Sequence, residues 1–176
     1  MIISVEEAKR LIDFNGWSDE RLEKKLKAIE QTIRAYTNNN FQKRSYRRTA
    51  DILGGSFIVE ALTPFSVGDT VQVSESKLNE GLYVVNAVSD SFFEVEEAVQ
   101  DEKDVLVTKI EYPEDVVDCA LNLLEWEVKN RSKVGIQSET LSRHSVTYFA
   151  QDAANQVMGY PASLLGCLKA YRKARC

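Results

Sequence analysis

The stretch from Pro113 to Asn130, PEDVVDCALNLLEWEVKN, is the feature that most limits what this chain can fold into. Proline opens it, Glu114 and Asp115 fill the first turn, and Lys129 and Arg131 close it. These are the marks of a helix whose charges suit its own dipole. Asp115, Asp118, Asn122, Glu125 and Lys129 recur at steps of three and four, so they form one narrow solvated stripe. Val117, Leu121, Leu124 and Val128 make an apolar row, and Val116, Ala120, Leu123 and Trp126 run beside it. An ordinary surface helix buries a stripe of roughly 100°. This one needs cover over more than half its circumference, from its own chain or from another subunit. Each large apolar side chain buried contributes roughly 1.5–3 kcal/mol, so an uncovered row is a serious loss for a domain of ordinary stability.

The chain's 176 residues are enough for one domain, or one domain carrying a small inserted one. A net charge of −5 argues against a dedicated nucleic-acid binder, which usually carries a basic face. No apolar run approaches the roughly 18 residues of a membrane span, and MIISVEEAKR has acids where a signal peptide has a basic start. Cys119, Cys167 and Cys176 form neither a disulfide framework nor a metal spacing, which fits a protein made in a reducing cytosol. Cys119, on the central helix, reads as a small buried apolar residue.

At the N-terminus, Ser4-Val-Glu-Glu7 fits a capping box and predicts a short helix to about Asp13, with Val5, Ala8, Leu11 and Ile12 on its apolar side. Asn15-Gly16 stops it. A longer helix is predicted from Ser18 or Asp19 to about Thr37, with Trp17, Leu22, Leu26, Ile29, Ile33 and Tyr36 stepping by three to five. Glu20–Lys24, Glu23–Lys27 and Glu30–Arg34 are i,i+4 pairs in the favourable order. From Phe41 to about Tyr112 the period changes to two, punctuated by turn residues such as Gly54-Gly55 and Gly68-Asp69. Strands are predicted at 46–52, 56–60, 70–74, 82–88, 92–95 and 105–111. The fold class expected is therefore α+β: a small helical bundle from 1–40 and 113–176, with an antiparallel SH3-like β-barrel at 41–112 inserted into it. Residues 131–142 are polar and predicted to be mobile. His144 to Ala150 alternates, Asp152 is a candidate cap for a short helix ending at Gly159, and Tyr160-Pro161 opens a final helix with Leu164, Leu165, Leu168 and Tyr171 on one side.

The helical parts resemble the head–tail connector, or adaptor, family of tailed phages and prophages. The resemblance rests on the short-helix, long-helix pair ending in Tyr36-Thr-Asn and on the central helix beginning Pro113-Glu-Asp-Val-Val. It rests most on the tail: Gly135-Ile-Gln-Ser-Glu-Thr, His144-Ser-Val-Thr-Tyr148, then Gly159-Tyr-Pro161 followed by Leu164, Leu165, Leu168 and Tyr171-Arg-Lys. It covers roughly residues 1–40 and 113–175, and the β segment is a departure from compact members. The resemblance implies a structural, non-enzymatic virion protein made in the bacterial host cytoplasm. It would form a homo-oligomeric ring, expected to be twelve-fold, under the portal protein. The ring would extend a channel through which DNA passes without sequence recognition, and would offer a platform for a tail or stopper protein. A ring interface is head-to-tail, so two different surfaces of each subunit must match. Between Asp90 and Asp118 eleven acids stand against Lys103 and Lys109, whereas Lys43-Arg-Ser-Tyr-Arg-Arg48 and the C-terminal segment are basic. Opposite charges of this kind orient neighbours. Residues 131–142 are then expected to order on contact with the portal or the next ring protein.

Candidate interface residues are Leu123 and Trp126 on the central helix, Lys43, Arg44, Arg47 and Arg48 at the start of the barrel, and Tyr148, Tyr160, Tyr171 and Arg172 in the tail. Trp126 serves either as core, the preferred reading, or as an interface anchor. The basic run is a charged strand face, a phosphate contact with Tyr46 interleaved, or a subunit or portal interface. No metal, cofactor or catalytic site is expected. Asp101–Asp104 with Glu94, Glu96 and Glu97 lack the ligand periodicity of a calcium loop, Gly54-Gly55-Ser56 lacks the lysine and helix of a phosphate loop, and His144, the only histidine, has no catalytic companions. The alternative from another class is a nucleic-acid-binding barrel on a helical dimerisation scaffold.

Overall fold

A computed structural model of the chain describes residues 1–14, 16–60, 64–130, 138–141, 144–147 and 156–174. The fold is α+β and divides into two compact units, Met1–Asn39 with Pro113–Cys176 and, between them in sequence, Asn40–Tyr112.

In the first unit, α1 (Val5–Leu11) starts at Ser4, whose hydroxyl accepts the Glu7 N–H at 3.1 Å. That satisfies one of the donors a helix start leaves open. The helix ends earlier than expected, because Ile12 already has extended backbone. Leu11 is exposed rather than part of the covered side. In α2 (Asp19–Thr37), Ser18 caps the start and Asn38 the end, the latter in the left-handed conformation with φ 49°. Leu22, Leu26, Ile29 and Ile33 are buried at the expected spacing. The Asn residues that stop α2 also hold the C-terminus. The Asn38 side-chain amide donates to the Ala174 carbonyl at 2.9 Å, and the Asn39 side-chain amide to that of Tyr171 at 3.3 Å. The Lys173 N–H donates to the Thr37 carbonyl at 2.8 Å.

The central helix α3 (Glu114–Asn130) packs against α2 and against a terminal 3-10 helix, Ala162–Tyr171. The expected final helix is thus a 3-10 rather than an α-helix. At three residues per turn, Leu165, Leu168 and Tyr171 fall on one line, and the first two are buried while Leu164 is only partly covered. Two further corrections lie in the tail. The segment before Gly159 forms a hairpin, with β9 (Gln156–Val157) paired to β10 (Tyr160–Pro161). Its turn residues Met158 and Gly159 have φ 53° and 81°, the signature of a two-residue turn that follows strand twist. Within the stretch expected to be mobile, β7 (Ser138–Leu141) pairs antiparallel with β8 (His144–Thr147), from Ser138 opposite Thr147 to Leu141 opposite His144. The expected mobile residues 131–137 and 142, and the candidate cap Asp152, lie outside the described residues.

The second unit is a closed antiparallel barrel of six strands: β1 (Gln42–Leu53), β2 (Ser56–Val59), β3 (Thr70–Ser74), β4 (Gly81–Val88), β5 (Phe92–Val95) and β6 (Glu102–Ile110). The order around it is β1-β2-β5-β4-β3-β6. The period-two pattern sends Ala50, Ile52, Phe57, Val59, Val71, Val73, Val85, Phe93, Val95, Val105 and Val107 inward. At the centre Phe57 and Phe93 stack at 4.7 Å, and Phe65 meets Phe93 edge-on at 5.0 Å. Gly54 and Gly55, with φ 59° and 88°, make the β1–β2 turn that needs two left-handed residues. β1 starts four residues before its predicted boundary. It does so through an irregularity: Gln42 faces Ile110 while Arg47 faces Thr108, so residues 43–46 bulge out of register.

Candidate interaction surfaces

The central helix is covered unevenly. Val116, Cys119, Ala120, Leu123 and Leu124 are buried, whereas Val117, Leu121, Trp126 and Val128 are only partly covered. One of the two apolar rows is therefore core up to Leu123, with Leu124 joining it, while Trp126 at its end and the rest of the other row keep some accessible surface. Leu123, a candidate interface residue, is fully buried in the subunit's own core. Trp126 sits at the boundary, its ring edge-on to that of Tyr160 at 5.5 Å, and Tyr160 is itself buried. The narrow polar stripe is as expected at Asp118 and Asn122, whose side chains bond to each other, and at Glu125, which pairs with Lys129.

Glu127 is a residue that sequence reasoning passed over. It continues the buried line Val116, Ala120, Leu123 at helical spacing and is 2% exposed, with its carboxylate 3.2 Å from the Lys25 ammonium. The spacing was the available signal, since a residue four beyond Leu123 must share its face. Glu30 is likewise buried, 3.9 Å from the Met1 amine.

In the tail, the Tyr171 hydroxyl donates to both carboxylate oxygens of Asp115 at 2.7 and 2.8 Å, which holds its phenol above the usual range. The exposed Arg172 places its guanidinium over the Tyr36 ring at 5.2 Å. Both residues therefore tie the 3-10 helix end to α2 and α3. Tyr148 lies outside the described residues.

The basic run lies on β1 of the barrel, and most of it is already engaged. The Lys43 ammonium is 2.6 Å from Glu111, which keeps it protonated above its ordinary range, and lies 4.8 Å from the Tyr46 ring centre. Lys109 approaches the same ring and pairs with Asp69 at 2.7 Å. Arg47 donates to Thr108 and to Gln42, and Arg48 to the Arg47 carbonyl. Arg44 is exposed.

Several acidic residues of the barrel anchor backbone N–H groups in turns and across strands. Asp101 accepts the Gly54 N–H at 2.8 Å and Asp51 accepts that of Asp104 at 3.0 Å. Glu102 accepts from the Ser76 hydroxyl, the Lys77 and Leu78 N–H groups and the Asn79 amide, which pulls its carboxyl down to about 2. Among the described residues no group of three or more His, Cys, Asp or Glu could hold a metal ion, and no helix is long and apolar enough to cross a membrane. The outer barrel face carries exposed Ile58 directly opposite Phe92 across β2 and β5, with Asp51 opposite Ile58 on the other side. Exposed cross-strand apolar pairs of this kind are contact surface available to a partner.

A scan of the chain against protein-family models finds no match, and a search of curated proteins finds none either.

Proposed function

We propose that this protein is a non-enzymatic virion component, a head–tail connector subunit of a tailed phage or prophage. Its helical unit is a connector-type bundle, and its inserted barrel is of SH3-like type. Subunits assemble head-to-tail into a ring below the portal, extend the DNA channel and offer a platform for a tail or stopper protein. The observation that carries this reading is the remaining accessible surface on Val117, Leu121, Trp126 and Val128, which are covered only in part, beside the buried Val116, Ala120, Leu123 and Leu124. A helix that buries part of its apolar circumference in its own core and keeps some apolar surface accessible on the rest has room for a neighbour to complete the cover. The sequence resemblance of the tail supplies the kind of assembly. Negative-stain images of the purified protein, alone and mixed with portal, test it. Rings or portal-capping density are expected. Compact dimers that shift DNA mobility would overturn it.

Those dimers are the outcome required by the other reading, a nucleic-acid-binding barrel. Exposed Arg44 beside Tyr46 favours it, and the internal pairing of Lys43, Arg47 and Lys109 weighs against it. Filter binding over a salt series separates the two, since phosphate contacts weaken steeply with salt. Equal DNA retention by wild type and by a Lys43/Arg44/Arg47/Arg48→Ala variant removes the phosphate reading.

A further inference from the structure

Two of the three cysteines meet in space although they are far apart in sequence. Cys119 lies on the buried face of α3 and donates its thiol to the Leu164 carbonyl at 3.3 Å. Cys167, three residues beyond Leu164 on the 3-10 helix, donates to the same oxygen at 3.5 Å. One carbonyl thus gathers both sulfurs, from two elements that pack on each other. Their exposures differ: Cys119 is buried and Cys167 is open to solvent. Burial, followed by the neighbouring Cys167 and the charges of Asp118 and Asp115, holds the Cys119 thiol well above its ordinary range, so it stays protonated.

We propose that Cys119 and Cys167 form an oxidisable dithiol, a modification site at which a two-electron oxidant of the peroxide class closes a disulfide between α3 and the 3-10 helix. The exposed sulfur reacts first. The Cys167 sulfur attacks one oxygen of hydrogen peroxide, the O–O bond breaks, and Cys167 becomes a sulfenic acid as one water leaves. The Cys119 sulfur then attacks the Cys167 sulfur, the S–O bond breaks, and the departing hydroxide takes the Cys119 proton and leaves as a second water. Two thiols have then lost two hydrogens, and one peroxide has become two waters. The buried thiol is a slow resolving partner, but its position next to the sulfenic acid makes the reaction intramolecular.

The bond ties the 3-10 helix to the central helix beside the Tyr171–Asp115 hydrogen bonds and closes a loop containing residues 120–166. Closing so long a loop stabilises mainly by restricting the unfolded chain. The biological consequence rests on the connector reading: the pair is reduced during assembly in the cytosol and closes once the particle meets an oxidising exterior. The chemistry itself does not depend on that reading.

The test uses the full chain with Cys176→Ser, so that the third cysteine cannot compete, treated with hydrogen peroxide and then mapped by mass spectrometry. The expected product has lost two hydrogens, yields one linked peptide pair containing Cys119 and Cys167, and melts several degrees higher until a phosphine reductant reverses the change. Cys167→Ser, a substitution at an exposed position, abolishes both the link and the shift. Recovery of Cys167 as sulfinic acid with Cys119 still a free thiol overturns the proposal, as does an oxidised product in which no Cys119–Cys167 peptide pair is linked. Neither result touches ring formation on the portal, so failure here and failure of the connector reading are read from different experiments.

Discussion

Replacing Lys25 by methionine removes the cation that faces the buried Glu127 carboxylate. The two groups are 3.2 Å apart, with the glutamate side chain 1% and the lysine side chain 30% exposed. At an effective dielectric of about 20 that separation corresponds to about 5 kcal/mol of attraction. The lysine end reaches water, so solvent screens part of it. Loss of the cation is therefore expected to destabilise by about 2–3 kcal/mol, below the 3–5 kcal/mol typical of a fully enclosed pair broken from one side. In melting temperature this is a drop of roughly 10 °C or more for a unit of this size. Both tryptophans, Trp17 and Trp126, belong to the helical unit, and Trp126 adjoins Glu127 in sequence, so tryptophan fluorescence during urea unfolding reports the right transition. The double variant Lys25→Met/Glu127→Leu removes both charges, keeps the buried line apolar and is expected within about 1 kcal/mol of wild type. A Lys25→Met protein as stable as wild type, within about 0.5 kcal/mol, refutes the view that this ion pair is what lets Glu127 occupy the core.

Three further perturbations act on the barrel and on the accessible side of α3. Phe93→Ala removes the ring that stacks on Phe57 and meets Phe65, and should destabilise the barrel by about 3–5 kcal/mol; far-UV dichroism should show an early β transition while tryptophan fluorescence keeps its midpoint. Leu121→Glu puts a charge on the partly accessible side of α3 and should abolish ring or portal-capping density in negative stain while the subunit's own far-UV spectrum is retained. Glu102 has its folded carboxyl pulled from the ordinary 4.5 down to about 2 by the Ser76, Lys77, Asn79 and Leu78 donors. Its contribution is present in full above about 4.5 and is lost as pH falls toward 2. Glu102→Gln should therefore lower stability at pH 7 and flatten its decline between pH 4.5 and 2; a decline as steep as that of wild type refutes the anchoring.

Local patterns carried much of the architecture. The caps Ser4 and Ser18, the helical spacing of Leu22, Leu26, Ile29 and Ile33, and the period-two run with its Gly54-Gly55 turn are short-range signals, and the elements they imply are present. Boundaries were less legible where charge masked pairing. Glu102-Lys-Asp104 begins β6 because its backbone and carboxylates bond to turns far away in the chain, which no local window contains. The tail was misread for a related reason: spacing by three and by four look alike over one turn, so a 3-10 helix passes for an α-helix, and a two-residue hairpin passes for a helix end.

For the candidate surfaces the division is sharper. The sequence by itself determined that α3 has two apolar rows and one polar stripe, because helical spacing alone assigns residues to faces. Only the tertiary structure decided which row is spent on the subunit's own core, that Leu123 is core and Val117 and Leu121 keep some surface, that Lys25 meets Glu127, and that Cys119 and Cys167 share one carbonyl. Those facts depend on which segments come to lie against the helix. That is fixed by long-range packing, and one-dimensional periodicity contains no information about it.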